Sequence, residues 1–224
     1  MSDKTVNITI DDKTLEVPEG KKILWAALEN DIYIPNLCAV KDIKRPPASC
    51  RLCFVEVEGK ESPVTACTQK ATEGMVIKTR SERLDRLVET AFNLLMSDHD
   101  LNCKECPKNR NCELQKIAKE RGLKLKQKKF NDLQEVNEEK SSCSCKEEID
   151  DSPKIFAINR KRCVLCGKCV YADRELAKIG AIGFSGRSIK RCVATFQDLP
   201  ISETSCIECG KCVDMCPVGA LYYK

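Results

Sequence analysis

Apolar side chains occupy every second position in two short runs near the N-terminus. The runs are Val6–Ile10 and Leu15–Val17, and the polar residues 11–13 separate them. This alternation is typical of strands with one buried face, and a short polar run between two such strands is typical of a tight turn. The pattern therefore predicts that the chain opens with a β-hairpin.

The spacing of apolar residues changes to that of a helix after the hairpin. Within residues 21–30 they recur three and four positions apart, and Pro35 is expected to stop the helix. The alternating pattern returns in Phe54–Glu58 and Met75–Thr79, which predicts two further strands. A hairpin, a helix and later strands in this order indicate an α+β fold, with a β-grasp arrangement in residues 1–79.

Helical patterns follow the predicted sheet. Ser81 can cap a helix whose apolar stripe covers Leu84–Met96, and we interpret this stripe as packing. A second, shorter helix carries apolar residues within Leu114–Ala118, and Gly122 can end it.

Cysteine is the most unusual part of the composition. The chain has 17 cysteines among 224 residues, one histidine and a net charge of +4 from 38 basic and 34 acidic side chains. The N-terminus has charges but no apolar run, and no apolar stretch is long enough to span a bilayer, so a cytoplasmic protein is expected. In a reducing compartment, dense cysteine spacing indicates metal sites in place of a disulfide scaffold.

Two groups of cysteines near the C-terminus share the spacing C-x2-C-x2-C: Cys163, Cys166 and Cys169, and Cys206, Cys209 and Cys212. Cys216 and Pro217 follow the second group and complete the pattern of a bacterial 4Fe-4S ferredoxin. In two-cluster ferredoxins the last cysteine of each run binds the other cluster, so Cys216 is predicted to complete the first group's site. A zinc knuckle is the alternative, although zinc rarely uses a third nearby thiol.

Four cysteines lie in the loops of the predicted β-grasp segment: Cys38, Cys50, Cys53 and Cys67. Their spacing, C-x11-C-x2-C-x13-C, has a longer first loop than the C-x4-C-x2-C opening of plant-type ferredoxins. Two thiolates from one turn and two from flanking segments suit a 2Fe-2S cluster. A structural zinc site is the alternative, and the β-grasp context favours the cluster.

The single histidine precedes three further cysteines: the motif joins His99, Cys103, Cys106 and Cys112. A lone histidine is usually an ordinary polar side chain, but one beside three close cysteines favours a ligand. Three cysteines and a histidine are a common structural zinc set. The iron–sulfur patterns elsewhere in the chain favour a 4Fe-4S cluster here as well.

The order of these motifs carries a resemblance to a known family. It resembles the N-terminal segment of the large iron–sulfur subunit of respiratory complex I. The same order opens iron-only hydrogenases and some formate dehydrogenases, and it forms the small diaphorase subunit of soluble NAD(P)-linked nickel–iron hydrogenases. The chain ends three residues after Leu221, so a stand-alone relay subunit within a hetero-oligomer is expected.

The resemblance implies a division into four segments. These are a β-grasp 2Fe-2S domain at 1–79, a helical His-Cys 4Fe-4S domain at 80–123, a charged connection at 124–153, and a two-cluster ferredoxin domain at 154–224. It also implies one 2Fe-2S and three 4Fe-4S clusters, held by the four groups described above. The third 4Fe-4S cluster would take Cys206, Cys209, Cys212 and a fourth ligand four residues after Cys169.

That fourth position is Asp173, where the family pattern has a cysteine. Three outcomes are open: Asp173 binds through oxygen, Cys192 replaces it, or the site lacks an iron. Iron–sulfur clusters usually take soft thiolates, which favours Cys192 slightly. Cys192 lies 19 positions further along and needs a loop that folds back, whereas Asp173 already has the expected spacing.

The implied function is electron transfer, with no catalytic residue in this chain. The expected partners are a flavoprotein that contains FMN and oxidises or reduces NAD(P)H, and a hydrogenase or formate dehydrogenase subunit. A bifurcating complex would add exchange with ferredoxin. The alternatives are redox chemistry on a small substrate at an open iron, and a zinc-stapled interaction or nucleic-acid-binding protein.

Two features of the charged connection have no place in the cluster assignments. Cys143 and Cys145 lie in a polar stretch that is expected to be an exposed connection. The alternative is that this stretch contacts a partner or holds an extra metal. The lysines at 124, 126, 128 and 129 form a basic run, which is expected to be a solvated face, with docking of an acidic partner as the alternative.

Overall fold

The computed structural model describes residues 4–41, 43–126 and 148–224, which fall into two compact units. The first unit is Met1–Asn93 and the second is Leu94–Lys224. Both contain helices and strands, which confirms the mixed α and β content expected from the sequence. The finer boundaries at residues 79, 123 and 153 stay predictions.

A five-stranded sheet forms the first unit: β1 Thr5–Ile10, β2 Lys13–Pro18, β3 Phe54–Val57, β4 Val64–Thr65 and β5 Met75–Lys78. The strand order is β2-β1-β5-β3-β4, with β1 parallel to β5 and the other pairs antiparallel. The hairpin and the two later strands are therefore confirmed, whereas the short β4 had no signal in the sequence.

The register of the hairpin explains its burial. Val6 pairs with Val17 and Ile8 with Leu15, so the apolar residues of both strands share the buried face. The turn places Asp11 and Asp12 at φ of 46° and 65°. Aspartate tolerates this left-handed conformation better than most residues, and the turn matches the twist of the strands.

Helix α1, Ile23–Leu28, supplies the opposite side of this core. Its buried side chains, including Ile23, Leu24 and Ala27, belong to the same apolar cluster as the inner residues of the sheet. The helix ends at Glu29, well before Pro35, so the expectation that Pro35 stops it was wrong.

Helix α2, Glu82–Met96, begins after Ser81, whose Oγ accepts a hydrogen bond from the Leu84 N–H at 3.2 Å. The predicted cap is therefore confirmed. Most of the apolar stripe is buried or half-buried, but Leu94 is 55% exposed, so the packing interpretation is wrong for that residue.

The second unit is built from short elements: α3 Glu113–Arg121, β6 Ile149–Asp150, β7 Phe156–Asn159, α4 Lys168–Tyr171, β8 Ile182–Ser185, β9 Cys192–Thr195, α5 Lys211–Asp214 and β10 Leu221–Tyr223. Strands β10, β7 and β6 form one sheet, and β8 pairs with β9. Gly122, at φ of 65°, ends α3 as predicted. Helices of four residues have little stability of their own in water, so this unit needs other stabilising contacts.

Helix α4 continues into a π-helix over Ala172–Leu176. Lys124 and Lys126 are exposed, whereas Lys128, Lys129, Cys143 and Cys145 lie outside the described residues. Among the helices that the structure describes, none has the length and apolar character needed to cross a bilayer.

Candidate metal centres

The structure brings the four cysteines of the first unit together, and all four are buried: Cys38, Cys50, Cys53 and Cys67. The Sγ atoms of Cys38 and Cys50 are 3.4 Å apart. Between the two cysteines of the C-x2-C turn, Arg51 adopts φ of 54°, and this left-handed residue lets the short loop reverse. The turn leads directly into β3, so the sheet fixes the position of Cys53.

The protonation of these thiols is strongly coupled. A hydrogen bond with Cys50 lowers the pKa of Cys38 to about 5, and the same interaction raises the pKa of Cys50. Cys53 and Cys67 form a second such pair, in which the pKa of Cys53 is raised and that of Cys67 is lowered. Four adjacent buried thiolates repel one another, so this donor set suits a cationic metal core that replaces the protons.

The imidazole of His99 is the clearest sign of a ligand in the second unit. His99 is 7% exposed, and its Nδ1 is one of the buried side-chain atoms in the described residues that have no hydrogen-bond partner. Burial lowers its pKa, and a hydrogen bond to the backbone carbonyl of Arg162 opposes that shift. A histidine whose other ring nitrogen is held by a carbonyl is oriented as histidine ligands usually are.

A partly buried ion pair holds the segment around His99. The Nε of Arg162 donates to Oδ2 of Asp100 at 3.0 Å, and the N–H of Asp100 donates to the carbonyl of Lys161 at 3.0 Å. The N–H of Asn102, followed by the Arg162 side chain, lowers the pKa of Asp100. The His99 segment is thereby tied to the chain just before Cys163.

The three cysteines after His99 are half-buried: Cys103, Cys106 and Cys112. Cys103 begins a single 3-10 turn, and Cys112 precedes the first residue of α3. Burial, followed by the charges of Cys106 and Cys103, raises the pKa of Cys112, since the three thiols lie close to one another. Together with the Nδ1 of His99 they fit a cluster with three thiolates and one imidazole.

The His-Cys segment packs directly against the C-terminal end of the chain. The N–H of Glu113 donates to the carbonyl of Pro217 at 3.0 Å. A Cβ on Gly219 would overlap the Sγ of Cys106. Close approach of the backbone at Gly219 is therefore part of what positions Cys106, a role that the sequence did not signal.

The two C-terminal cysteine triplets adopt the same turn. In the first, the N–H of Leu165 donates to the Sγ of Cys163 at 3.4 Å; in the second, the N–H of Glu208 donates to the Sγ of Cys206 at 3.4 Å. Leu165 and Glu208 have φ of 51° and 53°. This repetition explains why both segments need the spacing C-x2-C-x2-C.

The third cysteine of each triplet lies in a four-residue helix. Gly167 and Gly210 precede these helices with φ of 79° and 74°, a conformation that favours glycine. The backbone conformation therefore explains why glycine stands at the second position of Cys-Gly-Lys-Cys in both triplets. α4 and α5 present Cys169 and Cys212 in equivalent positions.

Cys216 lies near Cys169 of the first triplet. Burial raises the pKa of Cys169 well above its usual range, and the charges of Cys163, Cys166, Cys216 and Cys212 add to the shift. Because Cys212 of the second triplet contributes as well, the place of Cys216 at the first site stays a prediction. Cys216 is buried, and its own helix α5 ends just before it.

Asp173 joins the second triplet. It lines a cavity together with Cys206 and Cys212, and an adjoining cavity that Cys209 also lines. Burial raises the pKa of Cys212 to about 12, and burial followed by the charge of Asp173 raises the pKa of Cys206. These donors suit a cluster of the same kind as at the first triplet.

Cys192 lies elsewhere in the second unit. It is buried on β9, opposite Ser185 of β8, and it lines neither of these cavities. This placement favours Asp173 over Cys192 as the fourth side chain at the second triplet. The identity of the fourth ligand stays a prediction.

Within residues 4–41, 43–126 and 148–224, no three His, Cys, Asp or Glu side chains converge on a point that would hold one metal ion.

Three family models match successive parts of the chain. Residues 3–82 match a 2Fe-2S iron-sulfur cluster binding domain, and residues 89–125 match the NADH-ubiquinone oxidoreductase-G iron-sulfur binding region. Residues 152–222 match the ferredoxin-like domain of NADH-quinone oxidoreductase subunit 3. The domain types and their order agree with the resemblance stated from the motifs.

Curated relatives match over nearly the whole chain. The NADP-reducing hydrogenase subunit HndD of Solidesulfovibrio fructosivorans is 34% identical over 96% of this chain and 36% of its own length. A G-type NADH-quinone oxidoreductase subunit of Rhizobium meliloti is 35% identical over 96% of this chain and 24% of its own length. The chain thus spans about a third or less of the length of these relatives.

One solved structure has the same fold over almost the same length. A chain of an NAD+-reducing NiFe-hydrogenase in the H2-reduced state superposes with a TM-score of 0.81 and 28% identity, covering 98% of this chain and 87% of that one. Together with the domain matches, this likeness leads to one conclusion. The chain carries three iron–sulfur domains in succession, and over nearly its whole length it is similar to segments of the G-type subunits of NADH-quinone oxidoreductases and of subunits of NAD(P)-reducing hydrogenases.

Proposed function

We propose that this chain relays electrons between a flavoprotein that reacts with NAD(P)H and a nickel–iron hydrogenase module, in the cytoplasm. The observation that carries the proposal is the presence of four separate groups of cysteine and histidine side chains, all buried or half-buried except Cys209, in the order found in the matching domains. A single chain with four such groups suits transfer in steps. The named relatives favour a hydrogenase partner over a formate dehydrogenase.

We assign a 2Fe-2S cluster to the first unit and three 4Fe-4S clusters to the second. The first unit is then the β-grasp domain, and the second contains the His-Cys and two-cluster ferredoxin domains. Fifteen side chains are proposed as ligands: Cys38, Cys50, Cys53 and Cys67; His99, Cys103, Cys106 and Cys112; Cys163, Cys166, Cys169 and Cys216; and Cys206, Cys209 and Cys212.

Bound clusters would supply one-electron oxidation and reduction at potentials that depend on charge, hydrogen bonds and exposure to solvent. The protein's own contribution is to bury the ligands to different extents. All four cysteines of the first unit are buried, whereas Cys209 is exposed and its neighbour Ile207 is 68% exposed. The Cys206–Cys212 site is thus the one best placed to exchange electrons with another protein at the surface.

Anaerobic analysis of iron, zinc and acid-labile sulfide tests the proposal. One 2Fe-2S and three 4Fe-4S clusters require about 14 iron atoms per chain, with matching sulfide. The purified chain, never exposed to oxygen, is expected to contain these amounts and to be reduced by NADH or NADPH only when its flavoprotein partner is added. Several equivalents of zinc with little iron or sulfide would contradict the relay and support the zinc-stapled alternative.

The His99→Cys variant is expected to have a lower reduction potential at the His-Cys cluster. A neutral imidazole is replaced by a thiolate, so the cluster gains one negative charge and accepts an electron less readily. The expected decrease is on the order of 100 mV. A redox titration followed by EPR measures it, with the other clusters of the same sample as internal controls. An unchanged or higher potential would argue against ligation by His99.

A further inference from the structure

The second cysteine triplet lines two adjoining cavities, and the carboxylate of Asp173 lines both of them. Asp173 lies four residues after Cys169, just as Cys216 lies four residues after Cys212. Because α4 and α5 present Cys169 and Cys212 in equivalent ways, Asp173 and Cys216 occupy equivalent positions after their helices. The fold therefore places Asp173 where the other site has its fourth thiol.

The local backbone keeps this carboxylate inside the molecule. Asp173 is 7% exposed and belongs to the π-helix, a rare element that is frequent at functional sites. Its Oδ2 accepts a hydrogen bond from the N–H of Ile182 at 3.1 Å. One N–H occupies one of the about four lone-pair directions of a carboxylate, which leaves others for a metal.

A carboxylate buried beside three thiols is costly to keep charged unless a cation lies close to it. Lys211 also lines the second of the two cavities, but its Nζ donates to the carbonyl of Leu176 at 2.9 Å, and Arg174 is exposed. A cluster iron in the cavity would add positive charge beside the Asp173 carboxylate.

We propose that a carboxylate oxygen of Asp173 is the fourth ligand of the 4Fe-4S cluster at Cys206, Cys209 and Cys212, and that the iron it binds can be removed selectively. This inference rests on the proposed function, since it requires clusters in the chain. Aspartate and cysteinate both carry one negative charge, so the total charge of the site is unchanged. Carboxylate oxygen is a harder ligand than thiolate and suits a cluster iron less well.

The charges and electrons balance when this iron is lost. Release of Fe2+ from a 4Fe-4S core of charge 2+ leaves a neutral 3Fe-4S core. Ferricyanide then removes one electron, becoming ferrocyanide, and gives the 3Fe-4S core of charge 1+, which is paramagnetic. The other three clusters are each bound by four cysteine or histidine side chains. They are expected to keep their iron under the same mild treatment.

The test compares four forms of the full chain under anaerobic conditions. They are the wild type, Asp173→Cys, Glu175→Cys and Cys192→Ser, each titrated with ferricyanide in the presence of an iron(II) chelator. Glu175 is exposed on the same π-helix, so Glu175→Cys controls for the addition of a cysteine. The wild type, Glu175→Cys and Cys192→Ser are each expected to release about one iron and to develop the 3Fe-4S EPR signal. Asp173→Cys is expected to release at least tenfold less.

A measurement on the wild type alone keeps the test independent of how a variant folds. Protein labelled with carbon-13 aspartate is expected to show a carbon hyperfine coupling from a bound carboxylate when the reduced clusters are studied by pulsed ENDOR. Absence of that coupling, or release of equal iron by wild type and Asp173→Cys, would overturn the proposal. Loss of the cluster in Cys192→Ser alone would transfer the role to Cys192.

Failure of this inference can be told apart from failure of the relay. A wild type with about 10 iron atoms lacks the cluster at this site, which overturns the role of Asp173 and leaves the other three clusters in place. A wild type that contains zinc and little sulfide overturns both proposals together.

Discussion

Removal of iron and sulfide is expected to unfold residues 94–224 and to leave most of the sheet in residues 4–93 folded. The second unit has helices of four residues, a two-stranded sheet, and a three-stranded sheet with short strands. Its proposed ligand thiols lie among these elements, and burial is the largest of the causes that raise the pKa of Cys169 and Cys212. Where small elements surround a metal site, the free energy of metal binding is largely the free energy of folding.

The core of the first unit is mostly aliphatic, although Cys53 and Cys67 belong to the same apolar cluster. Strands β1, β2 and β5 and helix α1 share one apolar cluster that includes Ile8, Leu24 and Ile77, all fully buried. Burial of such side chains contributes roughly 1.5–3 kcal/mol each before the entropy of folding is subtracted. We therefore expect the sheet to survive loss of its cluster, with the loops around Cys38 and Cys50 becoming less ordered.

Amide hydrogen exchange on chelator-treated and untreated protein, both kept anaerobic and reduced, measures this difference. In the treated sample, opening free energies in residues 148–224 should fall to about 0–1 kcal/mol, while those of β1 and β5 should stay at several kcal/mol. Reconstitution with iron and sulfide is the control and should restore protection. Equal protection of the second unit with and without iron would contradict the prediction.

Periodic patterns predicted those parts of the fold whose residues have an apolar and a polar face. The hairpin is the clearest case, because Val6 and Ile8 pair with the residues expected from alternation alone. Helix ends that depend on local interactions were predicted from the sequence equally well. Ser81 caps α2 and Gly122 ends α3. These features depend on neighbours within a few positions along the chain.

Features set by distant contacts could not be predicted in the same way. Helix α1 ends at Glu29 and not near Pro35, and Leu94 is exposed although it fits the stripe. The ion pair between Asp100 and Arg162 joins segments far apart in sequence, so no local pattern announces it.

The fourth ligand of the last cluster illustrates the balance between chemistry and position. Softness of sulfur favoured Cys192 slightly, and spacing favoured Asp173. Asp173 lines both cavities at the second triplet and Cys192 lines neither, since the helices after the two triplets begin in the same way and carry the fourth position inward. This placement supports the argument from spacing over the argument from residue type, and the fourth ligand itself stays a proposal.

Gly219→Ala is expected to remove the His-Cys cluster and to lower the iron content from about 14 to about 10 atoms per chain. A Cβ at this position would overlap the Sγ of Cys106, and it would also contact the Cβ of Lys108 at 3.7 Å and the Cδ of Arg162 at 3.8 Å. Cys106 cannot give way without moving its sulfur from the cluster. Arg162 is 9% exposed and paired with Asp100, next to His99, so its side chain is constrained as well.

Gly183→Ala is the matched control, because neither glycine needs the left-handed conformation. Its added Cβ would lie 3.1 Å from the Nη2 of Arg174, the end of a flexible side chain that can move at little cost. Iron and sulfide analysis with EPR of the reduced proteins should find all clusters in Gly183→Ala and loss of one 4Fe-4S cluster in Gly219→Ala. Full iron content and an unchanged His-Cys signal in Gly219→Ala would mean that the close approach to Cys106 is not required, since the sulfur could then shift and still bind its iron.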